Sequence, residues 1–265
     1  MARPSDSVSP VPATTLRIGS RTVDIEHRAL ILGVLDVPAG GASDGATLER
    51  LVGAAGSLVA DGADLLELVP ATDGGPSVPV GAVAALAGRI DVPLAVSTGD
   101  AAGARAVLGA GAAVVDAAGR AVDDGLLRVV ADCDATLVVG ATVDGLGAGA
   151  GRDDVEEALA GCTRRALAAG VTSDRIVLDP GSGRPPALGV LRSYDRLAGL
   201  GHALAVSVDA GPGGELSGPP CVDGMALGTA SLAVTLGCRL VRTRDVAPHH
   251  QVRTVLDAVL RAGRP

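Results

Sequence analysis

The stretch "ALILGVLDVPAGGASDGATLERLVGAAGSLVADGADLLELV" (29–69) contains one complete strand–helix–strand unit. An apolar run ends in a loop rich in glycine and alanine, and an Ala/Leu segment of helical periodicity leads into a second apolar run. Continuous apolar strands joined by helices are typical of parallel sheets that are buried on both faces. The stretch therefore predicts a parallel βαβ unit.

The same alternation continues to the end of the chain. Eight apolar runs are predicted strands, at 29–36, 63–69, 92–98, 112–117, 135–141, 175–179, 202–208 and 238–244. Helices are predicted near 46–61, 77–88, 100–110, 122–131, 153–169, 187–199, 221–237 and 248–262. Eight βα units in 265 residues favour an α/β fold with a single (β/α)8 TIM barrel, and an open doubly wound sheet is the alternative.

Two segments precede this pattern. Residues 1–14 are rich in proline, serine and threonine, and we expect a disordered N-terminal lead. The segment "LRIGSRTVDI" (16–25) predicts a small hairpin that turns near Gly19 and Ser20. The predicted organisation is therefore one domain, 15–265, consisting of a hairpin followed by the barrel.

Composition limits the classes of partner. The formal charge is −8 without a basic run, which argues against nucleic acid and anionic membranes and favours a small-molecule ligand. The four cysteines lack the spacing of a zinc site, so we expect reduced thiols. Neither a signal peptide nor a membrane span is recognisable, and a cytoplasmic location is expected.

Polar residues follow most of the predicted strands. Active sites of (β/α)8 barrels lie at the carboxyl ends of the strands, so these residues are the candidates for function. They include Asp36, Glu67, Ser97, Asp116, Asp179, Ser207, Asp209, Arg242 and Arg244.

Asp179 ends the run "RIVLDPGSG" (175–183), in which Gly181 and Gly183 permit close approach of a ligand. A carboxylate at a barrel mouth can accept two parallel hydrogen bonds from a planar amino–N–H edge, such as that of a pterin or guanine. The alternative is that Asp179 caps the loop that follows it.

Arg242 and Arg244 lie two positions apart on the last predicted strand, so both side chains should point to the same side. The next helix begins close behind them, and the free N–H groups of a helix N-terminus favour anions. This arrangement suits a phosphate or pyrophosphate, whereas ordinary salt bridges, for example with Asp36, are the alternative. His249 and His250, in the first turn of that helix, are interpreted as solvated surface residues.

The order of these motifs resembles that of dihydropteroate synthase, a family of pterin-binding barrels. The resemblance runs from about Leu16 to the C-terminus. It rests on "DVPAGGASDG" (36–45), "DPGSGR" (179–184), "GTA" (228–230) and "RTRDV" (242–246), which match the family's motifs in order and position.

The resemblance implies a transferase of folate biosynthesis. That family joins p-aminobenzoate to 6-hydroxymethyl-7,8-dihydropterin diphosphate and releases pyrophosphate with help from Mg²⁺, and its members commonly form homodimers. By this resemblance the positions that bind the pterin are Asp179, Arg242, Asp116, Ser97 and Asp209, and those that bind the anion are Arg242 and Arg244. Asp36 is the implied Mg²⁺ ligand, and no catalytic residue is predicted.

The chain departs from the family at several of these positions. Asp36 and Asp116 replace asparagines, Ser97 replaces an aspartate, Asp209 replaces a lysine and Arg244 replaces a histidine. The loop after Asp36 lacks the family's Thr-Pro-Asp-Ser-Phe segment. We therefore expect a synthase-like protein whose activity is weakened or lost. The alternatives are a working divergent synthase, a non-catalytic pterin-binding or regulatory paralogue, and a barrel enzyme with a different phosphorylated or pterin-like substrate.

Overall fold

The computed structural model describes residues 12–38, 44–71, 77–141, 152–181, 188–209 and 222–262. Most of the predicted N-terminal lead and the loop that follows Pro38 lie outside these residues. Within the described part of the chain, no helix is both long and apolar enough to cross a membrane.

The chain folds as a hairpin followed by a closed parallel barrel. The hairpin strands are β1 (Thr15–Ile18) and β2 (Arg21–Asp24), which pair antiparallel. The barrel strands are β3 (Leu30–Val37), β4 (Leu65–Pro70), β5 (Leu94–Ser97), β6 (Val114–Asp116), β7 (Thr136–Gly140), β8 (Ile176–Asp179), β9 (Ala203–Ser207) and β10 (Leu240–Thr243). The barrel closes through parallel pairing of β10 with β3. The predicted (β/α)8 barrel is confirmed, and the doubly wound alternative is excluded.

Helices follow the strands and cover the outside of the barrel. They are α1 (Gly45–Ala60), α2 (Val80–Ala87), α3 (Ala101–Gly109), α4 (Asp124–Asp132), α5 (Arg152–Ala168), α6 (Leu188–Leu191), α7 (Tyr194–Ala198), α8 (Val222–Thr235) and α9 (Val246–Ala262). A 3₁₀ turn, Ser173–Arg175, leads into β8.

The helix predicted over 187–199 is wrong as a single element. The structure has two short helices there, α6 and α7, separated at Ser193. The Ser193 hydroxyl donates a hydrogen bond of 2.7 Å to the carbonyl oxygen of Val190, and the backbone at Ser193 leaves helical geometry. Serine side chains compete for backbone groups in this way, which explains the break.

Several aspartates of this acidic chain begin helices. Asp44 caps α1 by accepting a hydrogen bond of 2.8 Å from the backbone N–H of Thr47, and this bond lowers the pKa of Asp44. Asp100 and Asp123 cap α3 and α4 in the same way. Such caps satisfy N–H groups that a helix leaves free. Part of the negative charge therefore serves the helices and not a ligand.

The barrel interior is apolar in its lower part. Side chains of Leu30, Leu65, Val114 and Val177 pack together there with residues from the other strands. Leu16 and Ile18 of the hairpin pack against the same cluster. Because the hairpin covers the amino end of the barrel, a ligand would reach the interior from the carboxyl ends of the strands.

Tyr194, the only aromatic residue of the chain, packs between the barrel and its helices. Its side chain is fully buried, and its hydroxyl donates a hydrogen bond of 3.1 Å to the carbonyl oxygen of Ala205 on β9. Burial raises the pKa of Tyr194 well above its usual value. The residue thus fastens α7 to the strand that carries Ser207 to the mouth.

We predict that Tyr194→Ala lowers the free energy of unfolding by about 3–5 kcal/mol, because it leaves a large cavity in the core. The matched variant Tyr194→Phe removes only the hydroxyl and should cost about 0.5–1.5 kcal/mol. Urea unfolding followed by far-ultraviolet circular dichroism measures both. Equal stability of the two variants would contradict the packing role of the ring.

Candidate functional site

A polar layer lies above the apolar interior at the barrel mouth. On six strands, an apolar side chain faces the barrel interior and the residue two positions further along the strand is polar. Because side chains two apart share a face of the strand, these polar side chains also face the interior. These residues, named here the mouth layer, are Glu67, Ser97, Asp116, Asp179, Ser207 and Arg242. Three carboxyl groups therefore share the layer with a single guanidinium.

The central contact of the mouth layer joins β10 to β4. The Arg242 Nε donates a hydrogen bond of 2.5 Å to the Glu67 Oε2, and only 13% of the Arg242 side chain and 2% of the Glu67 side chain are exposed. Charge-assisted bonds of this kind are strong and directional. Arg242 is therefore held by a carboxylate two strands away in the barrel, a strand-end candidate whose specific role the sequence does not indicate.

Asp116 is buried beside this pair. One of its carboxylate oxygens accepts a hydrogen bond of 2.7 Å from the Ala118 N–H. Burial, reinforced by the nearby Glu67 carboxylate, raises the pKa of Asp116 well above its usual value. Arg242 opposes that shift, and Asp179 adds to it. A carboxyl group in this setting favours its protonated form, in which it can donate a hydrogen bond.

Asp179 is buried at the end of β8, and its Oδ1 accepts a hydrogen bond of 2.9 Å from the Gly181 N–H. The loop-capping interpretation therefore holds for that oxygen. The electrostatic influence of Asp179 on Asp116 also places the two carboxyl groups in one neighbourhood.

Arg244 lies above the mouth layer, and carboxylates engage all three nitrogens of its guanidinium. Its Nε and one terminal nitrogen donate to Asp36 at 3.3 and 3.1 Å, and the other donates to Asp209 at 2.8 Å. Asp209 also accepts a hydrogen bond of 2.7 Å from the Arg244 backbone N–H. The salt-bridge alternative expected from sequence is thus realised for Arg244.

The two serines of the mouth layer differ in their surroundings. The Ser97 hydroxyl accepts a hydrogen bond of 3.2 Å from the Nε of Arg120, an exposed residue after β6. The Ser207 hydroxyl is buried, and it has no hydrogen-bond partner among the described residues. Ser207 is adjacent to Arg242 in the β9–β10 register. Because a buried hydroxyl without a partner is costly, Ser207 is a candidate ligand contact.

The interpretation of His249 as a solvated residue is wrong. The residue is only 4% exposed, because its Nδ1 lies 2.7 Å from the Asp245 carbonyl oxygen and its ring packs at the start of α9. It borders a cavity of about 130 Å³ that Asp209 and Arg244 also line. An amphipathic helix pattern does not reveal such a backbone contact within one turn.

The described residues do not form a metal site. Among them, no group of three or more His, Cys, Asp or Glu side chains is placed to hold a metal ion. Asp36, the implied Mg²⁺ ligand, has both oxygens on Arg244. Three cysteines in the described segments, Cys133, Cys162 and Cys238, are free thiols as expected, and burial raises the pKa of Cys238 to about 12.

Comparisons with known proteins agree with this architecture. A family model described as "Pterin binding enzyme" matches residues 41–190. A dihydropteroate synthase of Streptococcus pyogenes serotype M6 is 27% identical in an alignment 261 positions long, which covers 89% of this chain and 97% of that protein.

Solved structures show the same likeness. Dihydropteroate synthase of Xanthomonas albilineans, in complex with indole-2-carboxylic acid and 6-chloroguanine, superposes with a TM-score of 0.77 at 25% identity, over 96% of this chain and 100% of that one. The enzyme of Thermus thermophilus has a TM-score of 0.73 at 26% identity, over 92% of this chain and 99% of that one.

Two findings define the class of protein. The chain forms a closed parallel barrel with a buried polar mouth, and the family model matches more than half of its sequence. The chain belongs to the pterin-binding enzyme family. The relatives and solved structures named above are dihydropteroate synthases, the group whose motif order this sequence resembles.

We predict that the Glu67–Arg242 pair is strongly coupled. Glu67→Leu leaves the guanidinium without its buried partner and should lower the free energy of unfolding by about 3–5 kcal/mol. Adding Arg242→Met removes the orphaned charge, so the double variant should cost less than the sum of the single changes. Urea unfolding of the four proteins measures the coupling, and additive costs would contradict it.

We predict that Asp116 makes stability fall as the pH rises. The unfolded chain releases this proton near the ordinary pKa of about 4, while the folded protein retains it to higher pH. Stability is therefore lost from about pH 4 upward through the raised pKa. Asp116→Asn should gain stability relative to wild type as the pH rises.

Urea unfolding at about pH 5, 7 and 8.5 measures this difference. Asp132→Asn, on the exposed surface of α4, controls for the loss of one negative charge. A constant difference between Asp116→Asn and wild type across the three pH values would contradict the prediction.

Proposed function

We propose that this protein is a dihydropteroate synthase-like protein of folate biosynthesis that binds a pterin-like heterocycle in the barrel mouth, with the condensation reaction weakened or lost. The single observation that carries the proposal is the burial of Asp116, Asp179 and Arg242 in one layer at the carboxyl end of the barrel, opposite the end that the hairpin covers.

The chemistry of this layer suits a planar heterocycle. A carboxylate at Asp179 accepts hydrogen bonds from a 2-amino–N–H edge, and a protonated Asp116 donates to a ring nitrogen or carbonyl oxygen. Ser207 offers a further hydroxyl in the same layer. The related Xanthomonas albilineans synthase was solved with 6-chloroguanine, a heterocycle that also carries a 2-amino edge.

The expected loss of activity rests on the charges around the mouth. In an amine-for-diphosphate displacement, the protein must stabilise the departing negative charge. Arg244 is engaged by Asp36 and Asp209, and Asp209 stands at the position of the family's lysine. Loss of one charge-stabilising donor lowers a rate by about 10²–10³.

The binding of Mg²⁺ and the formation of a homodimer stay predictions. The exposed side chains of Leu232, Val255 and Val259 on the last two helices support a homodimer.

Calorimetry with 6-hydroxymethylpterin tests the binding proposal. Wild type should bind, and Asp179→Asn should bind about 10–100-fold more weakly, because a charge-assisted contact worth about 1.5–3 kcal/mol is lost. The asparagine of this variant keeps an oxygen for the Gly181 N–H, so the variant should fold. Asp132→Asn is the matched control, and an equal effect of the two variants would contradict the assignment of Asp179.

Turnover is measured separately, with p-aminobenzoate, the pterin diphosphate and Mg²⁺. We expect binding of the pterin without measurable dihydropteroate formation, or with a rate at least about 10² below that of the Streptococcus pyogenes relative assayed alongside. A rate equal to that of the relative would show a working divergent synthase. Absence of pterin binding would reject the proposed ligand class.

A further inference from the structure

Asp209 contacts both arginines that end the last strand of the barrel. Its Oδ2 lies 2.8 Å from a terminal nitrogen of Arg244 and 3.9 Å from a terminal nitrogen of Arg242, and its Oδ1 accepts the Arg244 backbone N–H. That N–H lies two residues before α9 begins. The Asp209 carboxylate thus accepts hydrogen bonds from the Arg244 backbone N–H and the Arg244 side chain, and it lies near the Arg242 side chain. Proteins ordinarily hold a bound phosphate with the same kinds of donor.

The other two nitrogens of the Arg244 guanidinium each donate to a carboxylate as well. Asp36 accepts hydrogen bonds from the Nε and from the other terminal nitrogen of Arg244. The pair of N–H groups that would bind a phosphate in a bidentate manner therefore already binds a carboxylate. A phosphate that displaced Asp36 or Asp209 from Arg244 would leave that carboxylate next to the negative charge of the phosphate. Entry of an anion is therefore opposed both by competition for donors and by repulsion.

The balance of charge around the mouth points the same way. The described carboxyl groups there are Asp36, Glu67, Asp116, Asp179 and Asp209, and the described cations are Arg120, Arg242 and Arg244. The chain contains no lysine that could add to these cations. Arg242 is already paired with Glu67. Even with Asp116 protonated, the carboxylates among these described residues outnumber the cations, so a diphosphate tail would meet surplus negative charge there.

We propose that the mouth selects an uncharged or cationic planar heterocycle without a phosphorylated tail, with Asp209 serving as a built-in anion in the position of pyrophosphate. The inference rests on the proposed binding function and deepens it by naming the charge class of the ligand. It also separates this protein from a catalyst that must accommodate a diphosphate.

Calorimetry with three probes tests the inference: inorganic pyrophosphate, 6-hydroxymethylpterin and 6-hydroxymethylpterin diphosphate. Wild type should bind the diphosphate no more tightly than the alcohol and should bind pyrophosphate negligibly at millimolar concentration. Asp36→Asn with Asp209→Asn should bind pyrophosphate at least tenfold more tightly than wild type. The asparagines of the double variant each keep one oxygen acceptor, and circular dichroism verifies the fold.

The matched control is Asp132→Asn with Glu157→Gln, which changes the net charge equally on the exposed faces of α4 and α5. If this control gains the same pyrophosphate affinity, the effect belongs to overall charge and the assignment of Asp209 is overturned. A wild-type preference of tenfold or more for the diphosphate over the alcohol overturns the inference while leaving the proposed function intact.

The pyrophosphate measurement is independent of heterocycle binding. If no pterin binds, the proposed function fails. The proposed role of Asp209 is then still tested by the pyrophosphate affinity of the double variant, which should exceed that of wild type and that of the charge control. Failure of a folded double variant to gain it rejects the role of Asp209.

Discussion

The buried bond between Arg242 and Glu67 organises the mouth of this barrel. Two charges are removed from water at the point where β10 and β4 approach the interior, and each is tolerable there because the other is present. The pair fixes the one guanidinium of the mouth layer and leaves Asp116 and Asp179 beside an already satisfied cation. The chemistry open to the mouth follows from that arrangement.

A second consequence concerns evolution of the site within one fold. The lower barrel is filled by apolar side chains, which maintain the architecture whatever the mouth contains. Asp36, Asp209 and Arg244 lie above them on strand ends and loops, where substitution alters charge without disturbing the core. A change of ligand class is therefore compatible with the retained synthase-like fold.

The sequence was sufficient for the architecture, because eight buried strands leave apolar runs that are easily recognised. It also placed Asp116, Asp179 and Arg242 at the mouth, since strand ends meet there. It did not assign a role to Glu67, because a carboxylate within an apolar strand shows no partner until the barrel closes. The burial of His249 and the break at Ser193 depend on single hydrogen bonds within one turn, which periodicity cannot resolve.

Tyr194 gives the protein an unusual optical property. The sole aromatic ring is sealed in the core beneath β9, and the chain contains no tryptophan. The polypeptide is consequently almost transparent in the near ultraviolet, where pterins absorb. A heterocycle in the mouth has no tryptophan to compete with its fluorescence, so its own spectrum reports its protonation and polarity directly.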